Sequence, residues 1–242
     1  MNGGAGRHPD TFPPRGGRAR SLAIRLLVTA GALPLWFWTQ SLIGGRGLPS
    51  AGIGDGLHAL TAPLNQYLFA HPTAANALLI LSSGVIDLLG LFLLLGWIFG
   101  TTVRPFLGLV VLLGLRQAMQ ALVALPAPPD AIWRDPGFPS LLVTYGVAND
   151  YFFSGHTAIA VLGATELARM GRRWLKMAAW LVAVFEITTV LVLRAHYTMD
   201  VFAGIMTALW AAYLADRLSP AIDATLGLRR VTPQPGVFTK EP

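Results

Sequence analysis

Residues 76–99 read NALLILSSGVIDLLGLFLLLGWIF, an apolar run in which Asp87 is the single charge. About 20 apolar residues in helical form cross a hydrocarbon core of roughly 30 Å, so this stretch predicts a transmembrane helix. Five further runs of the same kind lie outward from it, giving six spans near 22–43, 76–99, 105–125, 154–170, 174–194 and 199–218. The fourth is short, and Pro34 predicts a kink in the first. Composition agrees. The chain is 54% hydrophobic and 12% charged, where a soluble domain carries roughly a quarter charged residues. In residues 51–72, Leu57, Leu60, Leu64, Leu68 and Phe69 recur at near-helical spacing, the pattern of an interfacial amphipathic helix. The expected fold class is therefore all-α: a polytopic membrane protein with six transmembrane helices plus that interfacial helix. The Pro-rich stretch from Pro126 to Pro139 predicts a loop.

Residues 1–20 are rich in Gly, Pro and Arg and lack apolar periodicity, which predicts a disordered basic tail. Residues 21–218 hold the six-helix domain, and 219–242 read as a polar tail. An Arg-rich stretch before an apolar one also suits a signal peptide. No small-residue cleavage site follows, which favours a retained helix. The net charge of +6 sits at the ends of apolar runs, without basic and aromatic residues interleaved, so it reports topology and not nucleic acid. Arg7, Arg15, Arg18, Arg20, Arg104, Arg169, Arg172, Arg173, Lys176, Arg217, Arg229, Arg230 and Lys240 fall on one side. That side is cytoplasmic by the positive-inside rule, as are both termini. The other side receives Arg46, Arg134, Asp55, Asp130, Asp135 and Asp150. An Ala, Gly, Leu and Arg bias suits the inner membrane of a high-GC bacterium. With no cysteine, a disulfide framework, a thiol nucleophile and Cys-ligated zinc are excluded.

Two polar patches interrupt this oily chain: Phe153-Ser154-Gly155-His156-Thr157 and Arg194-Ala195-His196-Tyr197-Thr198-Met199-Asp200. Such groups are costly near hydrocarbon, which makes them functional candidates. His196 and Asp200 are four apart and share one face if both are helical. The topology brings both patches to the exoplasmic (periplasmic or lumenal) face. Two histidines and an aspartate suit phosphoryl transfer through a histidine intermediate: His196 attacks phosphorus, Asp200 orients it, and His156 protonates the departing oxygen. Arg116 and Arg194 are the candidate phosphate clamps. Gly155 permits close approach of the phosphate, and Ser154 or Thr157 can donate to it. Asp87 and Glu186 are candidates for a cationic headgroup, with helix–helix hydrogen bonding as the alternative. Arg116 could instead pair with Glu186 or Asp87, and Glu166 with Arg169 or Arg173. Zinc on His156, His196 and Asp200 is a further alternative, although no HExxH helix accompanies it.

FSGHT followed by HYTMD resembles the lipid phosphatase/phosphotransferase (PAP2) superfamily, specifically its sphingomyelin synthase-like branch. Arg116-Gln117-Ala118-Met119 and Ala124-Leu125-Pro126-Ala127-Pro128 are similar to that branch's Arg-rich span ending in Leu-Pro-x-Pro. The run from Phe152 through Glu166, Arg169 and Arg194 to His196 is similar to plant phosphatidylcholine:diacylglycerol cholinephosphotransferases. The resemblance covers about residues 105–210. It implies a His-Asp-His site, with His156, His196 and Asp200 in the roles above and no cofactor or metal. The activity it implies moves a phosphocholine- or phosphoethanolamine-type headgroup from a glycerophospholipid to a lipid alcohol, diacylglycerol or ceramide. Hydrolysis by the same site, with water as acceptor, and a non-catalytic lipid-binding role are the alternatives. The superfamily's Lys-x6-Arg-Pro motif is missing, since Trp97 stands before Arg104-Pro105, and its arginine six residues before the second histidine is Val190.

Overall fold

The computed structural model describes residues 53–143, 145 and 152–228, together with scattered positions between 27 and 41. The chain divides after Gly54. Before that point the described positions from Leu27 to Ser41 are helical, within the expected first span. The rest of that span and the tails at 1–20 and 229–242 lie outside the described residues. The second unit contains α1 (Gly56–Ala70), α2 (Pro72–Ile98), α3 (Arg104–Leu122), α4 (Gly155–Ala168), α5 (Arg173–Val192) and α6 (Thr198–Thr225). Local chemistry sets their starts. The Asp55 side chain accepts from Leu57 and His58 N–H to cap α1, and Ser154 accepts from Thr157 N–H to cap α4. Proline occupies the first turn of α2 and α3, where its missing N–H costs nothing.

Helices α2, α3, α5 and α6 are each long and apolar enough to cross a membrane. The expected fourth span is not among them. Helix α4 has 14 residues, or about 21 Å at 1.5 Å per residue, short of the hydrocarbon thickness. Ser154 starts it, and a turn through Gly171, at φ +77°, separates it from α5. Instead of facing lipid on one side, α4 is the centre of the bundle. It packs chiefly on α5 and α6 and also on α2 and α3, and Thr157 to Ala164 are all buried. Its Ala158, Ala160 and Ala164 meet small residues elsewhere in the core, Ala179 and Ala183 of α5 and Ala208, Ala211 and Ala212 of α6. Small side chains let helix backbones approach closely, the usual means of association in membranes. At Gly204 of α6 an added Cβ would lie 2.8 Å from the Ser154 carbonyl oxygen, so only glycine fits that approach.

Two further expectations are corrected. The last helix does not end near 218 but runs through Pro220 to Thr225. There Asp223 is buried and accepts the Thr102 hydroxyl and the Val103 N–H, each at 2.7 Å, binding α6 to the start of α3. Helix α1 forms as expected with Leu57, Leu60, Leu64 and Phe69 exposed. Its polar side, however, does not face water: His58 and Asn65 are buried with Leu68 against the rest of the bundle.

Candidate active site

Backbone hydrogen bonding joins the two polar patches. The Ser154 N–H donates to the Asp200 carbonyl at 3.2 Å, and Gly204, one turn further along α6, lies against Ser154 and Thr157. Both patches are entered through a left-handed backbone: Phe153 has φ +81° and Arg194 φ +51°. Non-glycine residues in such conformations cost of order 1–3 kcal/mol and persist where surrounding packing fixes them. The Phe153 side chain is fully buried in the main core, which supplies that packing.

Above this junction His156, His196, Arg116 and Gly155 line one cavity of about 110 Å³. Its remaining walls are nearly all apolar and include Leu109, Leu113, Trp133 and Ile159. Trp133 meets the His156 ring edge-on at 5.1 Å between centroids. An added Cβ on Gly155 would fall 3.3 Å from Arg116 Nε, so this glycine lets the guanidinium lie against the start of α4. His156 and His196 are both buried, and His156 Nε2 has no hydrogen-bond partner among the described residues. A buried imidazole nitrogen left without a partner is uncommon and suits a group that acts on a ligand.

The relation of His196 to Asp200 differs from the expected shared helix face. Helix α6 begins at Thr198, and Tyr197 and Asp200 form its capping box. His196 therefore precedes the helix, in the turn that leads into it. The Asp200 Oδ2 accepts the Tyr197 N–H at 2.9 Å, while Oδ1 is buried without a hydrogen-bond partner among the described residues. Asp200 thus holds the peptide immediately after His196. No group of His156, His196 and Asp200 has the arrangement to hold a metal ion.

Four other candidates lie outside the cavity lining. Ser154 is fully buried, and its hydroxyl donates to Thr157 Oγ1 at 2.9 Å. Arg194 donates through Nη1 to the Pro129 carbonyl at 2.9 Å and to Asp130 Oδ2 at 2.8 Å. Asp87 accepts from the Ser140 hydroxyl and from the Leu141 and Leu142 N–H groups, anchoring that loop segment. Glu186 is fully buried in α5 and accepts the Ser82 hydroxyl of α2 at 2.6 Å, a helix–helix hydrogen bond. Glu166 takes three hydrogen bonds from Arg104 and pairs with Arg169 at 3.4 Å, at the far end of α4 from His156.

Sequence reasoning missed three residues, Asp55, His58 and Asn65. Asp55 Oδ2 accepts the Thr198 N–H and Oδ1 the Thr198 hydroxyl, both at 2.6 Å. His58 Nε2 donates to the His196 carbonyl at 2.9 Å, and its ring stacks on Tyr197. Asn65 donates to the Val192 carbonyl at 2.9 Å. Burial alone would raise the Asp55 carboxyl, but the hydrogen bonds from Thr198 and His58 outweigh it and hold the group below its usual range. The available signal was the polar face of α1, where His58 and Asn65 stand seven apart among leucines.

No solved structure matches the chain. Among curated proteins it is similar to phosphatidylcholine:diacylglycerol cholinephosphotransferase 1 of Arabidopsis thaliana, 25% identical over 146 residues, 60% of this chain and 47% of that one. It is also similar to phosphatidylinositol:ceramide inositolphosphotransferase 3 of the same plant, 34% identical over 79 residues, 32% of this chain and 27% of that one. The chain thus spans less than half the length of either relative. The AtPDCT1/2 family model matches residues 55–217, a segment that contains every residue lining the cavity, and the chain belongs to that family.

Proposed function

We propose that the protein is an integral-membrane lipid phosphotransferase of the sphingomyelin synthase-like kind, within the lipid phosphatase/phosphotransferase superfamily. It moves a phosphocholine- or phosphoethanolamine-type headgroup from a glycerophospholipid to a lipid alcohol. The observation that carries this reading is the grouping of two histidines and Arg116 around one largely apolar cavity. The names of both relatives share one chemistry, a phosphoryl headgroup passing from a phospholipid to a lipid alcohol, while headgroup and acceptor differ.

In the first half-reaction His196 attacks phosphorus, the P–O bond to the glycerol oxygen breaks, and His156 gives its proton to that oxygen. Diacylglycerol leaves, and the headgroup phosphate remains on the His196 nitrogen. In the second, His156 takes the proton of the acceptor hydroxyl, its oxygen attacks phosphorus, and the P–N bond breaks. Arg116 counters the phosphate charge, and Asp200 fixes the turn that carries His196. Apolar walls favour a lipid acceptor over water. The cavity opens at the exoplasmic face, with both termini cytoplasmic.

The test is purified protein supplied with headgroup-labelled phosphatidylcholine and unlabelled diacylglycerol or ceramide. Label moving into a second lipid is the expected result. Label released only into water assigns hydrolysis instead, and no turnover with choline, ethanolamine or inositol donors removes the catalytic reading.

A further inference from the structure

We propose that Asp55 and His58, at the start of α1, are positioning residues for the nucleophile, an inference that rests on the reading of His196 given above. Three consecutive residues at the entry to α6 are each held by a separate side chain. His58 takes the His196 carbonyl at 2.9 Å, Asp200 the Tyr197 N–H at 2.9 Å, and Asp55 the Thr198 N–H at 2.6 Å. A carbonyl only accepts, so His58 carries its proton on Nε2. The Asp55 carboxylate also accepts the Leu57 and His58 N–H groups, each at 3.0 Å, so one side chain caps α1 and α6 together. Asn65 extends the grip to the Val192 carbonyl, at the end of α5. Helix α1 therefore clamps the whole turn between α5 and α6. His196, which lies in this turn and not on a helix, derives its backbone orientation from that clamp. A displacement of about 1 Å in a reacting group can cost roughly a hundredfold in rate, so such support acts on catalysis.

The experiment compares His58→Leu with His58→Gln, whose amide places an N–H donor near the position of Nε2, in the full chain in lipid. His58→Leu is expected to lower kcat about 10- to 100-fold with the donor KM within about twofold, the signature of lost transition-state support. His58→Gln is expected to recover most of that loss. Unchanged kcat in His58→Leu, or a loss that His58→Gln does not recover, overturns the clamp. If His58→Leu does not fold, Thr198→Val replaces it. This variant removes the hydroxyl contact to Asp55 alone, and an unchanged kcat there also counts against the proposal. Amide exchange separates this inference from the functional reading. If wild-type protein turns over no donor, faster exchange at Thr198 in His58→Leu, with α2 to α5 unchanged, still supports the clamp, and equal exchange overturns it.

Discussion

The two ends of α4 carry similar numbers of polar groups and treat them in opposite ways. At its far end Glu166 is buried and takes the Arg104 guanidinium through Nε and Nη2, at 3.2 and 2.9 Å, with Arg169 bridging from Glu166 to Asp216. Asp223 nearby closes the start of α3. Glu166, Arg104, Arg169 and Asp216 meet charge with charge, Asp223 takes a hydroxyl and an N–H, and the result is a fastening between helices. At the near end, side chains are bonded mainly to backbone: Asp55 to Thr198, His58 to His196, Asp200 to Tyr197 and Asp87 to the 141–142 segment. That arrangement holds the turns rigid and leaves two imidazoles and Arg116 facing a cavity. An end whose polar groups satisfy one another is structural. One whose polar groups hold backbone around unpaired imidazole nitrogen, as at His156 Nε2, suits the action on a ligand proposed above.

The sharpest way to break this comparison is to change one residue at each end. His156→Ala should lower kcat by about 10²- to 10⁴-fold, the usual weight of a general acid and base, with the melting midpoint little changed. Steady-state rates alongside thermal denaturation would check it, and full activity would remove His156 from the site. Glu166→Gln should do the reverse, costing stability by about 1–3 kcal/mol through weakened charged hydrogen bonds while turnover in folded protein stays near wild type. A catalytic defect there without loss of stability would mean that the far end is not merely a fastening.

Much of this was legible in the sequence, and the failures have physical causes. The long apolar runs of α2, α3, α5 and α6 read correctly because length and hydropathy alone decide them. The meeting of the FSGHT and HYTMD patches at one end followed from counting helices up and down. The central place of α4 did not read, because its burial on all sides depends on small residues of α5 and α6 that no local pattern brings to it. His196 and Asp200 read as neighbours on one helix face. Spacing of four cannot reveal that Tyr197 and Asp200 cap the helix one residue later. Arg194 read as a phosphate clamp, yet its Nη1 is engaged by Asp130 and the Pro129 carbonyl across a loop whose path no local pattern encodes. Asp55 and His58 were hidden for a similar reason: their partners lie about 140 residues away.

In the proposed reaction the headgroup phosphate passes through His196. Rapid acid-free quenching of the protein with phosphorus-labelled phosphatidylcholine in the absence of acceptor, followed by peptide mapping, tests it directly. The expected result is an acid-labile, base-stable adduct on His196 that is lost in His196→Ala and discharged by added diacylglycerol or ceramide. Turnover that persists in His196→Ala, or label trapped on a different residue, would contradict it.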